Sequence, residues 1–109
     1  IFAKEILEKN THEVKVRCEF PVLPTLAMFI EAAAQCSAAF NSNIDAGAKI
    51  GFLTMANDVE LLGRIETLHF LFHLNKEVEV GSYKKFSFEV YDTKHLKIVS
   101  GKFTLLIQE

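Results

Sequence analysis

One charged side chain, Glu31, stands in the apolar run from Thr25 to Phe40. A carboxylate among leucine, alanine, methionine, phenylalanine and isoleucine costs on the order of several kcal/mol to desolvate unless it is paired or lines a cavity. Burial also raises a carboxylate pKa, the usual preparation for a general acid or base. At helical spacing Gln35 lies one turn on, on the same face, with Ala27, Ala34 and Ala38 around it. A polar pair among small residues reads as a groove wall with room beside it. The alternative is a structural carboxylate bonded to backbone or to a partner subunit. Pro24-Thr25-Leu26 is predicted to form the first turn of this helix, two turns from Glu31. The free backbone N–H groups and positive dipole end there can hold an anion or polarise a carbonyl. Asn57 shares the parity of Leu53, Met55, Val59 and Leu61 and is expected to face an apolar side. It would orient a ligand there or bond to backbone.

Other chemistries find little support. His69 and His73 share a strand face with Leu71. Four residues apart on a strand, they are ~13 Å from one another, too far for one metal ion, and they are expected to face solvent. His12 and His95 fall at predicted turns. Cys18 and Cys36 make neither a zinc set nor a disulfide framework and are expected to be buried, inert thiols. No serine sits in a Gly-x-Ser-x-Gly elbow, and there is no glycine-rich phosphate loop. No metal is expected.

The elements that position these residues follow from periodicity. The chain has 109 residues, is 50% hydrophobic and 24% charged, and carries a formal charge of −2. That is enough apolar material for one folded domain, and residues 1–109 are read as one. The charge balance and the absence of any Lys/Arg run give no footprint for nucleic acid. No uncharged stretch approaches the ~20 apolar residues that span a bilayer. The chain begins at Ile1 rather than methionine, which predicts that the natural start lies upstream. Val14, Val16, Cys18 and Phe20 alternate with Lys15, Arg17 and Glu19, the pattern of a half-buried strand, and a strand around Phe2–Glu8 is expected to pair with it through Asn10-Thr11. Pro21 and Pro24 suit no central strand, but Pro24 fits a helix start. One long helix is predicted over about residues 24–41, apolar nearly all round and hence buried on several sides. Beyond Lys49 the segments Gly51–Leu62, Ile65–Val80, Tyr83–Tyr91 and Leu96–Ile107 read as strands joined by short turns, which implies an antiparallel meander. In the last of these the apolar parity switches near Gly101, where a bulge is expected. The fold class is therefore α+β, a curved antiparallel sheet wrapped around one long central helix.

Phe20-Pro21, then Pro24, then Ile30-Glu31-Ala32-Ala33-Ala34-Gln35 resemble the hotdog-fold (3R)-hydroxyacyl-ACP dehydratases, which carry His-Phe-Pro-Gly, a later Pro-Gly, and Ile-Glu-Ala-x-Ala-Gln on the central helix. The strands after Gly51, ending in Gly101-Lys102-Phe103-Thr104-Leu105-Leu106-Ile107, are similar in length and order. In that family a histidine before Phe-Pro and a helix carboxylate remove water from a β-hydroxyacyl thioester. The carboxylate carries over to Glu31. The histidine does not, since Glu19 holds its position, and the loop between the prolines is shorter and lacks the glycines. Dehydration needs both a base and an acid, so it is not expected.

The wider hotdog superfamily includes acyl-CoA thioesterases that use one helix carboxylate and helix N-terminal amides, and Glu31 with the amides near Thr25 and Leu26 would meet that simpler requirement. It also includes members without evident catalytic residues that still hold an acyl chain, a flagella-coregulated virulence factor among them. The resemblance implies an acyl-thioester binding protein with weak or no catalysis, taking acyl-CoA or acyl-ACP as ligand and no tightly bound cofactor. Its alternatives are a thioesterase and a structural or regulatory dimer with a vestigial pocket. Leu26, Met28, Phe29 and Met55 would line the acyl tunnel, with Pro24, Thr25, Glu31, Gln35 and Asn57 nearer the thioester. The resemblance further implies a cytoplasmic homodimer whose sheets join edge to edge.

Overall fold

The structure, a computed structural model, describes residues 3–37 and 50–108. Two strands, β1 (Ala3–Lys9) and β2 (Glu13–Glu19), precede the helix α1 (Leu26–Cys36). Four follow it: β3 (Ile50–Leu61), β4 (His69–Val80), β5 (Tyr83–Tyr91) and β6 (Lys97–Gln108). They form one sheet in the order β1-β2-β4-β5-β6-β3, with every neighbouring pair antiparallel.

The alternation in β2 does what period two requires. Val14, Val16 and Cys18 turn inward and are fully buried, while Lys15, Arg17 and Glu19 turn outward. The β1–β2 hairpin closes on Asn10, whose Oδ1 accepts from the backbone N–H groups of His12 (2.8 Å) and Glu13 (2.9 Å). This is the local bonding that makes asparagine a turn residue. The β4–β5 hairpin turns at Gly81, whose φ of +58° lies in the left-handed region that a side chain disfavours.

Three expectations about these elements are corrected. First, β4–β5–β6 is a meander but β3 is not part of it: β3 lies at the far edge, paired only with β6. The chain therefore crosses the sheet between β3 and β4, and β4 begins at His69 rather than at Ile65. Second, the parity switch in β6 falls at Ile98 rather than Gly101. Val90 pairs with Val99 and Tyr91 with Lys97, which leaves Ile98 as the extra residue, and both Ile98 and Val99 are buried. Gly101 has a different role: a Cβ there would lie 2.9 Å from the Phe88 ring and 3.0 Å from Val59 Cγ2. Strand propensity alone would make Gly101→Val stabilising. The close approach predicts instead a loss of about 1–3 kcal/mol, measurable by urea unfolding.

Third, the described helix is Leu26–Cys36, 11 residues, so it begins after Pro24 and Thr25, and its expected continuation to 41 lies outside the described residues. It is not buried on several sides. Phe29, Ala32, Ala33 and Cys36 pack on the sheet, whereas Leu26, Ala27 and Glu31 are exposed. At its centre Phe29 meets Phe70 edge-on (ring centroids 5.0 Å) and Phe20 edge-on (5.5 Å), with Phe72 at 6.0 Å. These rings, with Phe86, Phe88 and Phe103 from the far strands, are the aromatic part of the core. Among the described residues no helix is long and apolar enough to cross a membrane.

Candidate functional site

The site begins where β2 ends. The Phe20 N–H donates to the Leu68 carbonyl (2.8 Å), after which the chain leaves the sheet, and Pro24 is buried as it turns into α1. Thr25 is the N-cap, extended at φ −91° and ψ 168°, and its Oγ1 accepts from the Met28 N–H (3.2 Å). First-turn amides have no intrahelical acceptor. With Met28 capped, the N–H groups of Leu26 and Ala27 remain without an acceptor among the described residues. No acidic side chain occupies this turn, so its positive end is uncompensated within the helix.

Glu31 follows four residues after Ala27, on the same face and ~6 Å along the axis. It is exposed, so the desolvation expected from its apolar neighbours does not arise within one chain. The reason is angular: Glu31 lies about 200° round the helix from Phe29, and Phe29 is the residue that sets which face meets the sheet. Gln35 and Met28 are half-buried, Met28 packing against the core. Phe29 is fully buried among the core rings rather than in an open wall.

The helix sets Glu31 one turn beyond Ala27 and Gln35 one turn beyond Glu31, while Thr25 and Leu26 lie at its start. Met55 and Asn57 lie on β3, and both are exposed. The expectation that Asn57 faces inward with Val59 fails because the strand is irregular between Asn57 and Glu60. Asp58 there has φ +52°, and the shift turns Val59 onto the core while Asn57 stays outside.

His69 and His73 lie on the outer sheet face, as the alternation predicts; His69 is exposed, whereas His73 is half-buried with partners on both neighbouring strands. An ionised carboxylate can only accept, so His73 Nε2–H donates to Glu13 Oε2 (3.1 Å), while Nδ1 lies 3.9 Å from Glu89. Glu89 also takes the Lys97 ammonium, and that hydrogen bond, then the Glu89 charge, raise the Lys97 pKa. Strand register could have disclosed part of this, since Glu89 pairs directly with His73. Among the described residues no group of three His, Cys, Asp or Glu side chains could hold a metal ion. Glu19, in the place of the dehydratase histidine, is half-buried at the end of β2 opposite His69.

No protein-family model matches the chain, and no curated protein matches its sequence. Solved structures do match its fold. The dehydratase heterocomplex ApeI:P from Xenorhabdus doucetiae is similar at a TM-score of 0.82 and 13% identity, over 100% of this chain and 84% of that one. A thioesterase from Staphylococcus aureus is similar at 0.76 and 12% identity, over 96% and 93% of the two chains. A hypothetical thioesterase from Streptococcus pneumoniae, solved with coenzyme A, is similar at 0.71 and 11% identity, over 95% and 84%. At such identities the likeness is one of fold. The chain has the hotdog fold, which it shares with these dehydratase and thioesterase structures.

Proposed function

We propose that this chain binds acyl thioesters, as acyl-CoA or acyl-ACP, with weak or no catalysis. The observation that carries the reading is the amide pair of Leu26 and Ala27 at the start of α1, without an acceptor among the described residues, with Glu31 exposed one turn beyond Ala27. A thioester carbonyl is the kind of group such an end polarises. Structural neighbours solved with coenzyme A and with acetyl-CoA support the ligand class. In this reading Pro24 and Thr25 shape the carbonyl site, Leu26 and Met28 meet the acyl chain, and Glu31 and Gln35 flank the thioester. Phe29 supports them from the core.

The site is completed in a homodimer joined through the β3 edges, which would bring Met55 and Asn57 to it. Two features support this. β3 is a sheet edge with Met55 and Leu61 exposed, and the open face of α1 adds exposed Leu26, with Val22 and Leu23 just before it. Pairing the edges would bond its free backbone groups and cover that apolar surface. A cytoplasmic setting belongs to the same proposal, since acyl-CoA and acyl-ACP are cytoplasmic ligands.

A second reading, hydrolysis, rests on Glu31 one turn beyond Ala27: the carboxylate would activate water or attack the carbonyl while the amides hold the oxyanion. Dehydration is not supported, because Glu19 stands where the second catalytic group would be.

The deciding experiment is a thermal-shift series with free CoA and acyl-CoAs of increasing chain length, with thiol release followed in parallel. A binder gains about 2.7 kcal/mol at a ligand concentration of 100 Kd, on the order of 10 °C in Tm for a domain this small. The expected result is a shift that grows with chain length and little or no released thiol. Released thiol would make the protein a thioesterase. No response to millimolar ligand would leave a structural or regulatory dimer with a vestigial pocket.

A further inference from the structure

The two cysteines come from different elements and meet in the core. Cys18 sits near the end of β2 and Cys36 closes the last turn of α1. Their Sγ atoms lie 3.4 Å apart, and neither side chain is exposed by more than 1%. Nothing in the proposed binding site uses them. We propose that Cys18 and Cys36 are a dithiol that hydrogen peroxide converts to an intramolecular disulfide, locking α1 to the sheet.

The chemistry balances with the peroxide as the sole oxidant. One thiolate attacks a peroxide oxygen, breaking the O–O bond, releasing water after protonation and leaving a sulfenic acid. The second thiol then displaces that oxygen as water and forms the S–S bond, so two thiols lose two protons and two electrons and the peroxide is reduced to two waters. Geometrically the sulfurs need to close from 3.4 Å to about 2.05 Å. That is a small movement for two side chains already in contact.

The pair is held in reserve rather than reactive at rest. The hydrogen bond with Cys18 and then burial push the Cys36 thiol well above the ordinary range, so the reacting thiolate is scarce until a local opening exposes the pair. Once made, the bond spans an 18-residue separation, and the enclosed segment holds Pro24, Thr25, all of α1 and therefore Glu31 and Gln35. Closing a loop of that length restricts the unfolded chain and pins the helix that carries the candidate site.

The test uses the whole native chain. Reduced protein is treated with hydrogen peroxide, denatured, alkylated and digested with trypsin. With no Lys or Arg between Cys18 and Lys49, both cysteines fall in one peptide, residues 18–49. The expected product is that peptide about 2 Da lighter, unalkylated at both positions and restored by dithiothreitol. The oxidised protein should melt several degrees higher than the reduced one. Cys18→Ala and Cys36→Ala should each abolish the lighter peptide, and the wild-type peptide map stands even where a variant fails to fold. The proposal is overturned by sulfinic or sulfonic acid on one cysteine with the other still alkylated. It is also overturned by cross-linked dimers, by a lower Tm on oxidation, or by two intact thiols at peroxide levels that oxidise the urea-unfolded chain. None of these outcomes depends on whether the protein binds acyl thioesters.

Discussion

Replacing Phe29 by alanine should destabilise the domain by about 3–5 kcal/mol. The ring is completely buried and is touched by Phe20, Phe70 and Phe72 from both β2 and β4 sides of the sheet. Truncation therefore removes the transfer free energy of the ring, two edge-to-face contacts and the filling of a central space. Against a total stability of about 5–15 kcal/mol for a native domain, that is a large fraction. At an m-value of about 2 kcal/mol per molar urea, the midpoint should fall by roughly 2 M with m unchanged. Leu26→Ala, on the open side of the same helix, should change stability by no more than about 0.5 kcal/mol. A similar small loss for Phe29→Ala would mean that the ring lines a ligand channel instead of anchoring the helix.

Any thiol release from acyl-CoA should fall by about 10²–10⁴-fold in Glu31→Gln, the range ordinarily supplied by one general base. The test is clean because Glu31 is exposed: removing its charge should leave stability within about 0.5 kcal/mol. Glutamine keeps the size and one acceptor, so the chain-length-dependent thermal shift should persist. Release that survives the substitution would assign hydrolysis to another group. A marked gain in stability with no change in either readout would identify the carboxylate as part of a vestigial pocket.

Much of the fold was legible in local pattern. Lys85, Ser87 and Glu89 alternate with Phe86, Phe88 and Val90, and the structure places the second set in the core and the first outside it. Asn10-Thr11 and Gly81-Ser82 mark real turns, and Pro24 with Thr25 marks a real helix start. These features depend on a residue and its near neighbours, and period and turn chemistry report them directly. The helix carboxylate, Gln35 and the amide end were legible for the same reason, since a few turns of helix fix their mutual spacing.

What escaped depends on residues far apart in the chain. A bulge at Asp58 reverses strand parity in β3, and the predicted parity switch in β6 falls at Ile98, the extra residue defined only by the pairing of its neighbours with Val90 and Tyr91 across the sheet. His73 found Glu13 and Glu89 through register, from strands it does not follow in sequence.

By itself the sequence determined the inward faces of β2 and β5, the turns, the start of α1 and the residue types gathered on it, because each follows from side-chain period or from a local hydrogen bond. Only the tertiary structure decided that β3 closes the far edge, that Phe29 belongs to the core, that Glu31 looks outward and that Cys18 meets Cys36. The physical reason is that an alanine-rich helix has no strongly preferred face of its own. Its orientation is settled when Phe29 enters the space between Phe20, Phe70 and Phe72, and that space exists only once the sheet is assembled.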